Sequence, residues 1–95
     1  MNMTQEKIET MITELNNRII AADSAAELYR VKRGEMFVSL SNPTDGSKKP
    51  SESLILSMID ADPAMSAMRT DRDAKQTAVT CWKYYLDSVI AWGNK

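Results

Sequence analysis

Few side chains in this sequence have the type and spacing to do chemistry. There is no histidine, which removes the commonest general base and metal ligand. The single cysteine, Cys81, therefore has no imidazole partner; set between Val79 and Trp82, it reads as a buried structural thiol and not a nucleophile. Asp45-Gly46-Ser47-Lys48-Lys49 holds a basic pair but lacks the spaced glycines with which a P-loop cradles phosphate. Asp60, Asp62, Asp71 and Asp73 stand where helix ends want caps and dipole partners, so no metal is assigned to them. On this reading no residue is catalytic, no cofactor is implied, and the chain is not an enzyme.

The basic residues carry the remaining chemistry. Arg30, Lys32 and Arg33 lie close together, and Lys48 and Lys49 sit in a polar stretch further on. If a helix turns back through that stretch, both groups fall at one end of a hairpin. Such a cluster is either a phosphate-contacting surface or a set of solvated charges. The formal net charge is -1, from 12 basic and 13 acidic side chains, so no overall field draws nucleic acid to the chain. Arg69 and Arg72 also alternate with Asp71 and Asp73, which offset them. Solvated charge is therefore favoured over a phosphate-contacting surface, and if the chain docks on a protein this end is the first surface to test, with direct contact to single-stranded nucleic acid as an alternative. Tyr84 falls off the face shared by Trp82, Tyr85 and Val89 and is the second candidate for a partner contact. Met58, Met65 and Met68 gather around Asp62-Pro63, where they form either an adaptable docking surface or plain core.

The elements that must position these residues are helices. Thr4 is an N-cap, although Lys7 stands where a capping box would place an acid. Ile8, Ile12, Leu15, Ile19, Ala22, Ala26 and Tyr29 then recur at spacings of four and three, a heptad seam thinned by its alanines. The stripe continues through Leu28, Val31, Met36, Phe37 and Leu40, and Gly34 is read as tolerated inside one helix over 4–40; a break at Gly34 is the alternative. Residues 41–50, with Asn42-Pro43 and Asp45-Gly46, form a loop. Ser51 caps a short helix over 51–60, with Leu54, Ile55, Met58 and Ile59 on one face. Asp62 as N-cap and Pro63 at the first helical position open a last helix over 63–92, whose apolar face resumes with Ala78, Val79, Trp82, Tyr85, Leu86, Val89 and Trp92.

The fold class is thus all-α: one domain of 95 residues, a long antiparallel helical hairpin with a short helix between. Two long helices do not cover each other's apolar faces, and a chain this small is marginal even when compact. The hairpin is therefore expected to complete a bundle as a homo-oligomer. The start of the chain does not read as a secretory leader, and no apolar run approaches the roughly 20 residues of a membrane span, so a cytoplasmic protein without a membrane partner is expected.

The layout also resembles a known group. AELYRVKRGEMFVSL over 26–40, a polar loop, Ser51-Glu52-Ser53, Ala61-Asp62-Pro63, and a long aromatic helix with Leu86-Asp87-Ser88-Val89-Ile90 resemble small uncharacterised helical-hairpin proteins of bacteriophages and prophages, found near DNA recombination genes. The likeness spans 26–92, and Thr77, Thr80 and Ser88 depart from the more Glu- and Arg-rich last helix of the group. It implies an accessory factor in DNA recombination or replication in a bacterial host cell, whose protein partner is a recombination protein or a host nuclease. A structural or chaperone-like hairpin, such as a secretion or assembly partner, is the alternative. Against that alternative, the only Trp-Gly pair, Trp92-Gly93, lies at the end of the chain and not between helices.

Overall fold

The computed structural model describes residues 4–44, 46 and 48–93. They form three helices and, among the described residues, no strand: α1 (Gln5–Ser41), α2 (Glu52–Ala61) and α3 (Pro63–Gly93). α1 and α3 pack as a helical hairpin. Each begins and ends where local chemistry directs. The Lys7 N–H donates to Thr4 Oγ1 at 3.2 Å, one of the otherwise orphaned amides of a first turn. α1 stops before Pro43, whose ring disfavours a helical Asn42. Its last carbonyls are taken up by side chains, Ser41 Oγ donating to Phe37 O at 2.7 Å and Asn42 Nδ2 to Val38 O at 3.2 Å. Gly46 follows with φ 81, a left-handed conformation that glycine adopts without penalty. Asp45 and Ser47 of the expected loop lie outside the described residues.

Ser51 accepts from the Leu54 N–H at 3.2 Å and starts α2 as its sequence suggests. Asp62 then serves two helices. Its backbone N–H donates to Ile59 O at 3.1 Å, closing α2. Its carboxylate oxygen accepts from the Met65 N–H at 3.0 Å, opening α3 with Pro63 in the position where a missing N–H costs nothing. The polypeptide between α2 and α3 is this one extended residue.

Contacts divide the chain into two compact units, Met1–Ser24 with Asp73–Lys95, and Ala25–Arg72. The second holds the main core. Ile55, Ile59 and Met65 are buried together, with Tyr29, Met36, Phe37, Leu40 and Met68 packed against them. Burial of each of the three contributes about 1.5–3 kcal/mol. Leu54 and Met58, expected on the same face of α2, are exposed: at 100° per residue one ten-residue helix turns only a narrow stripe inward, and Ile55 and Ile59 occupy it. The first unit is thinner. It pairs segments of two helices and, among the described residues, buries only Ala22 and Leu86.

Ile8, Leu15, Ile19, Ala22 and Tyr29 of the expected α1 seam turn inward, but the seam shifts by one position at two places. Met11 and Ala25 turn inward, while Ile12 is exposed and Ala26 half-buried. Spacings of three and four fit either set over a few turns, and a straight helix drifts by about 20° per heptad, so the facing helix decides between them.

α1 is continuous through Gly34, where a Cβ would meet nothing within 4 Å. Gly34→Ala should therefore stabilise the protein by about 0.5–1 kcal/mol and raise Tm by roughly 2–8 °C. A thermal melt in which Tm is unchanged or lower would contradict a continuous helix at this position.

Candidate functional site

Each unit builds its own constellation. In Ala25–Arg72 the centre is Tyr29. The Arg72 guanidinium carbon lies 4.5 Å from the Tyr29 ring centroid, within cation–π range. Arg69 Nε donates to Tyr29 Oη at 3.4 Å, and Arg69 also pairs with Asp60 at 3.7 Å, at the end of α2. Both arginines are half-buried. The expectation of a fully solvated face is thus corrected for these two side chains, which lie partly against Tyr29. A tyrosine ring at the seam gives guanidinium groups an apolar plane to lie on.

In the other unit the centre is Trp82. Its indole Nε1–H donates to Met11 O at 3.0 Å, across to α1. A helix carbonyl keeps a spare lone pair for such a bond. Arg18 lies 4.9 Å from the same ring centroid and pairs with Glu14 at 3.1 Å. Tyr85 stacks obliquely on Trp82, centroids 5.4 Å apart at 43°. The signal for Arg18 is present in the sequence as a heptad position, three after Leu15 and four before Ala22, but a charged residue there does not read as seam.

The docking residues read from the sequence separate between the units. Arg30, Lys32, Arg33, Lys48 and Lys49 belong to Ala25–Arg72, whereas Tyr84 belongs to the other unit. Arg30 is held by Glu27 through a two-pronged contact, one arm of it Nε donating to Oε2 at 3.1 Å. Lys32 pairs with Glu35 at 3.2 Å. Arg33 is half-buried; Lys48 and Lys49 are exposed. Arg30 stands about three turns before the end of α1.

Three further expectations change. Cys81, expected to be a buried thiol, is exposed. Tyr85 and Trp92, expected on the inner face, are exposed too. The reason is shared. Val79, Trp82, Leu86 and Val89 hold the inner seam of α3, and helical rotation carries Cys81, Tyr85 and Trp92 away from it. Among the methionines near Asp62-Pro63, Met65 is core, Met68 packs on it and Met58 is exposed. Among the described residues no group of acidic or thiol side chains comes together to hold a metal ion, and no helix is long and apolar enough to cross a membrane.

The fold defines the class, an all-α helical hairpin. No protein-family model matches the chain, and no curated protein or solved structure matches it.

Two measurements follow. Trp82 is only half-buried, so Trp82→Ala should cost about 3 kcal/mol, the low end for a tryptophan. Trp82→Phe keeps ring packing but loses the bond to Met11 O and should cost about 0.5–1.5 kcal/mol in urea denaturation; full wild-type stability would show that bond to contribute nothing. The second concerns Glu27, whose carboxyl is lowered by the hydrogen bond from Arg30 and then by its charge. A depressed folded value means the pair's contribution is present above the ordinary carboxylate range and is lost as pH falls through the lowered value. An NMR titration of Glu27 should show its midpoint rise in Arg30→Gln, and an unmoved midpoint would contradict the pairing.

Proposed function

We propose that this protein is a non-catalytic binding factor that docks the outer side of α1 on another protein. One observation carries the reading. Leu28, Val31 and Val38 are 53%, 40% and 61% exposed on α1. With Glu35 they occupy positions i, i+3, i+7 and i+10, the rhythm by which an amphipathic helix enters a groove. The Glu27–Arg30 pair lies beside them, and the Lys32–Glu35 pair reaches into the stripe through Glu35, between Val31 and Val38. Exposed apolar side chains mixed with charge fit the composition of a non-obligate protein–protein contact. The partner that fits is a protein with an apolar groove.

Arg30 and Lys32 are paired within the helix, so they steer and orient and do not act as anchors. Arg33, Lys48 and Lys49 add positive charge in the same unit. The resemblance of residues 26–92 to phage hairpin proteins supports a setting in bacteriophage or prophage DNA recombination or replication, inside a bacterial cell. The partner would then be a recombination protein, such as a single-strand annealing protein, or a host nuclease.

Capture of partners from infected or lysogenic cells tests this. Val31→Glu with Val38→Glu should cut retention of the partner about tenfold or more, equivalent to at least about 1.4 kcal/mol. Charge reversal at Arg30, Lys32, Arg33, Lys48 and Lys49 should weaken binding more at low salt than at high salt, since exposed charges are screened over about 10 Å at 0.1 M. If both variants retain the partner as the wild type does, α1 is not the docking face. A salt-dependent shift of single-stranded DNA by the wild type alone, lost on the five-site reversal, would replace the protein partner with nucleic acid.

A further inference from the structure

The two units differ in what holds them together. Ala25–Arg72 wraps three helices around Ile55, Ile59 and Met65, which are 0%, 0% and 2% exposed, with Tyr29, Phe37 and Met68 among the side chains packed on them. The unit of Met1–Ser24 with Asp73–Lys95 has two helical segments and, among the described residues, buries only Ala22 and Leu86. Ala22 brings a single methyl group. Beside it the segments do not interdigitate. An open groove of about 360 Å³ lies between Ile19 and Ala22 on α1 and Val79 and Thr80 on α3. Atoms lining such a gap forgo the dispersion contacts that close packing supplies.

The sequence of α3 divides close to the same place. From Pro63 to Gln76 it is rich in alanine, methionine, arginine, lysine and glutamine, which form helix readily. Beyond Gln76 the character changes. Thr77, Val79, Thr80, Val89 and Ile90 are β-branched, and Trp82, Tyr84, Tyr85 and Trp92 are aromatic, types that lose χ1 freedom in a helix. Thr80 Oγ1 also donates back to Gln76 O at 3.2 Å, a bond that slightly weakens a helix. A segment of this length and composition is marginal as an isolated helix in water. Packing on α1 supports it here: Trp82 Nε1–H reaches Met11 O at 3.0 Å, and Arg18 lies over the same ring.

We infer that the unit of Met1–Ser24 with Asp73–Lys95 is a fork that opens by itself, its two segments parting and the end of α3 unravelling, while Ala25–Arg72 stays folded. Proteins open in cooperative pieces, and the piece with the least buried apolar surface opens first. Trp82 is the latch, because its hydrogen bond and its ring both join the segments. The closed fork turns Met11, Leu15, Ile19, Val79 and Trp82 inward, and the open fork presents them. The inference goes beyond the docking reading and does not rest on it. Leu28, Val31 and Val38 belong to the unit that stays folded, so the α1 stripe is kept in either state.

Native-state hydrogen exchange of the full chain, followed by NMR in increasing urea, tests this. The interior amides of residues 11–22 and 79–88 should share one opening reaction. Their protection should lie on the order of 100-fold below that of residues 30–38 and 55–59, the equivalent of one or two large side chains left unburied. Their urea dependence should be smaller than that of global unfolding but not zero, because opening exposes part of the surface. Two variants separate the units. Ile59→Val destabilises the closed and the open fork alike, so it should speed exchange at 30–38 and 55–59 about 3–10-fold and leave 11–22 and 79–88 unchanged. Trp82→Phe destabilises only the closed form and should speed both groups by one common factor, about 3–10-fold. Exchange of every interior amide through one reaction, with both groups responding alike to Ile59→Val, would overturn the inference. So would exchange at 11–22 and 79–88 without urea dependence, which is fraying residue by residue and not the opening of a unit.

Discussion

Asp62 places the main core of this protein. A single extended residue joins α2 to α3, and its two hydrogen bonds, from its own N–H to Ile59 and from the Met65 N–H to its carboxylate, fix both helix ends at once. With no slack between the helices, Ile59 at the end of one and Met65 at the start of the other must share a space. Ile55, one turn earlier, joins them. Pro63 makes the corner cheap, because its locked φ suits a first helical turn and it has no N–H to leave unsatisfied. The apolar residues of α1 that face this corner, from Tyr29 to Leu40, then have something to pack against.

The other unit lacks such a third element, and its adhesion depends more on directed contacts. Trp82 bonds to the Met11 carbonyl and takes the Arg18 guanidinium over its ring. Ala22 lets the helices come close, but it also contributes little apolar area. The two units therefore solve the same problem differently. One buries bulky aliphatic side chains among three helices; the other uses an aromatic ring, a hydrogen bond and a cation between two.

This difference bears on function. Each unit leaves a stripe open: on α1 an apolar one interrupted by Glu35 and flanked by internally matched ion pairs, on α3 an aromatic and nearly uncharged one. Charges already satisfied by i,i+3 neighbours contribute modestly to affinity, because both are exposed and screened. Apolar side chains held open on a preformed helix have no comparable compensation, so burial of those residues is the larger source of binding free energy available to the molecule.

The sequence by itself determined the helices, their order and most of their ends. Those depend on neighbours within one turn: Thr4, Ser51 and Asp62 reaching forward to an amide, Pro43 forbidding continuation, Pro63 permitting a start. It also made Gly34 readable as part of a helix, since one glycine costs less than a broken stripe. What the tertiary structure decided is which side of each helix turns inward. Ile12 and Met11, or Ala26 and Ala25, fit the same spacing, and only the packing of the folded chain selects between them. Cys81, Tyr85 and Trp92 were displaced from the expected core for the same reason, because hydrophobicity gives a residue a preference for burial but a helix only about a third of its circumference to bury. The basic candidates were legible as charged residues but not as ion pairs, since the rotamers that bring Arg30 to Glu27 and Lys32 to Glu35 compete with solvent and with every other partner in reach. Arg69 and Arg72 lie beyond sequence reasoning altogether: their partner Tyr29 is some forty residues away, and proximity across that distance exists only once the chain has folded back.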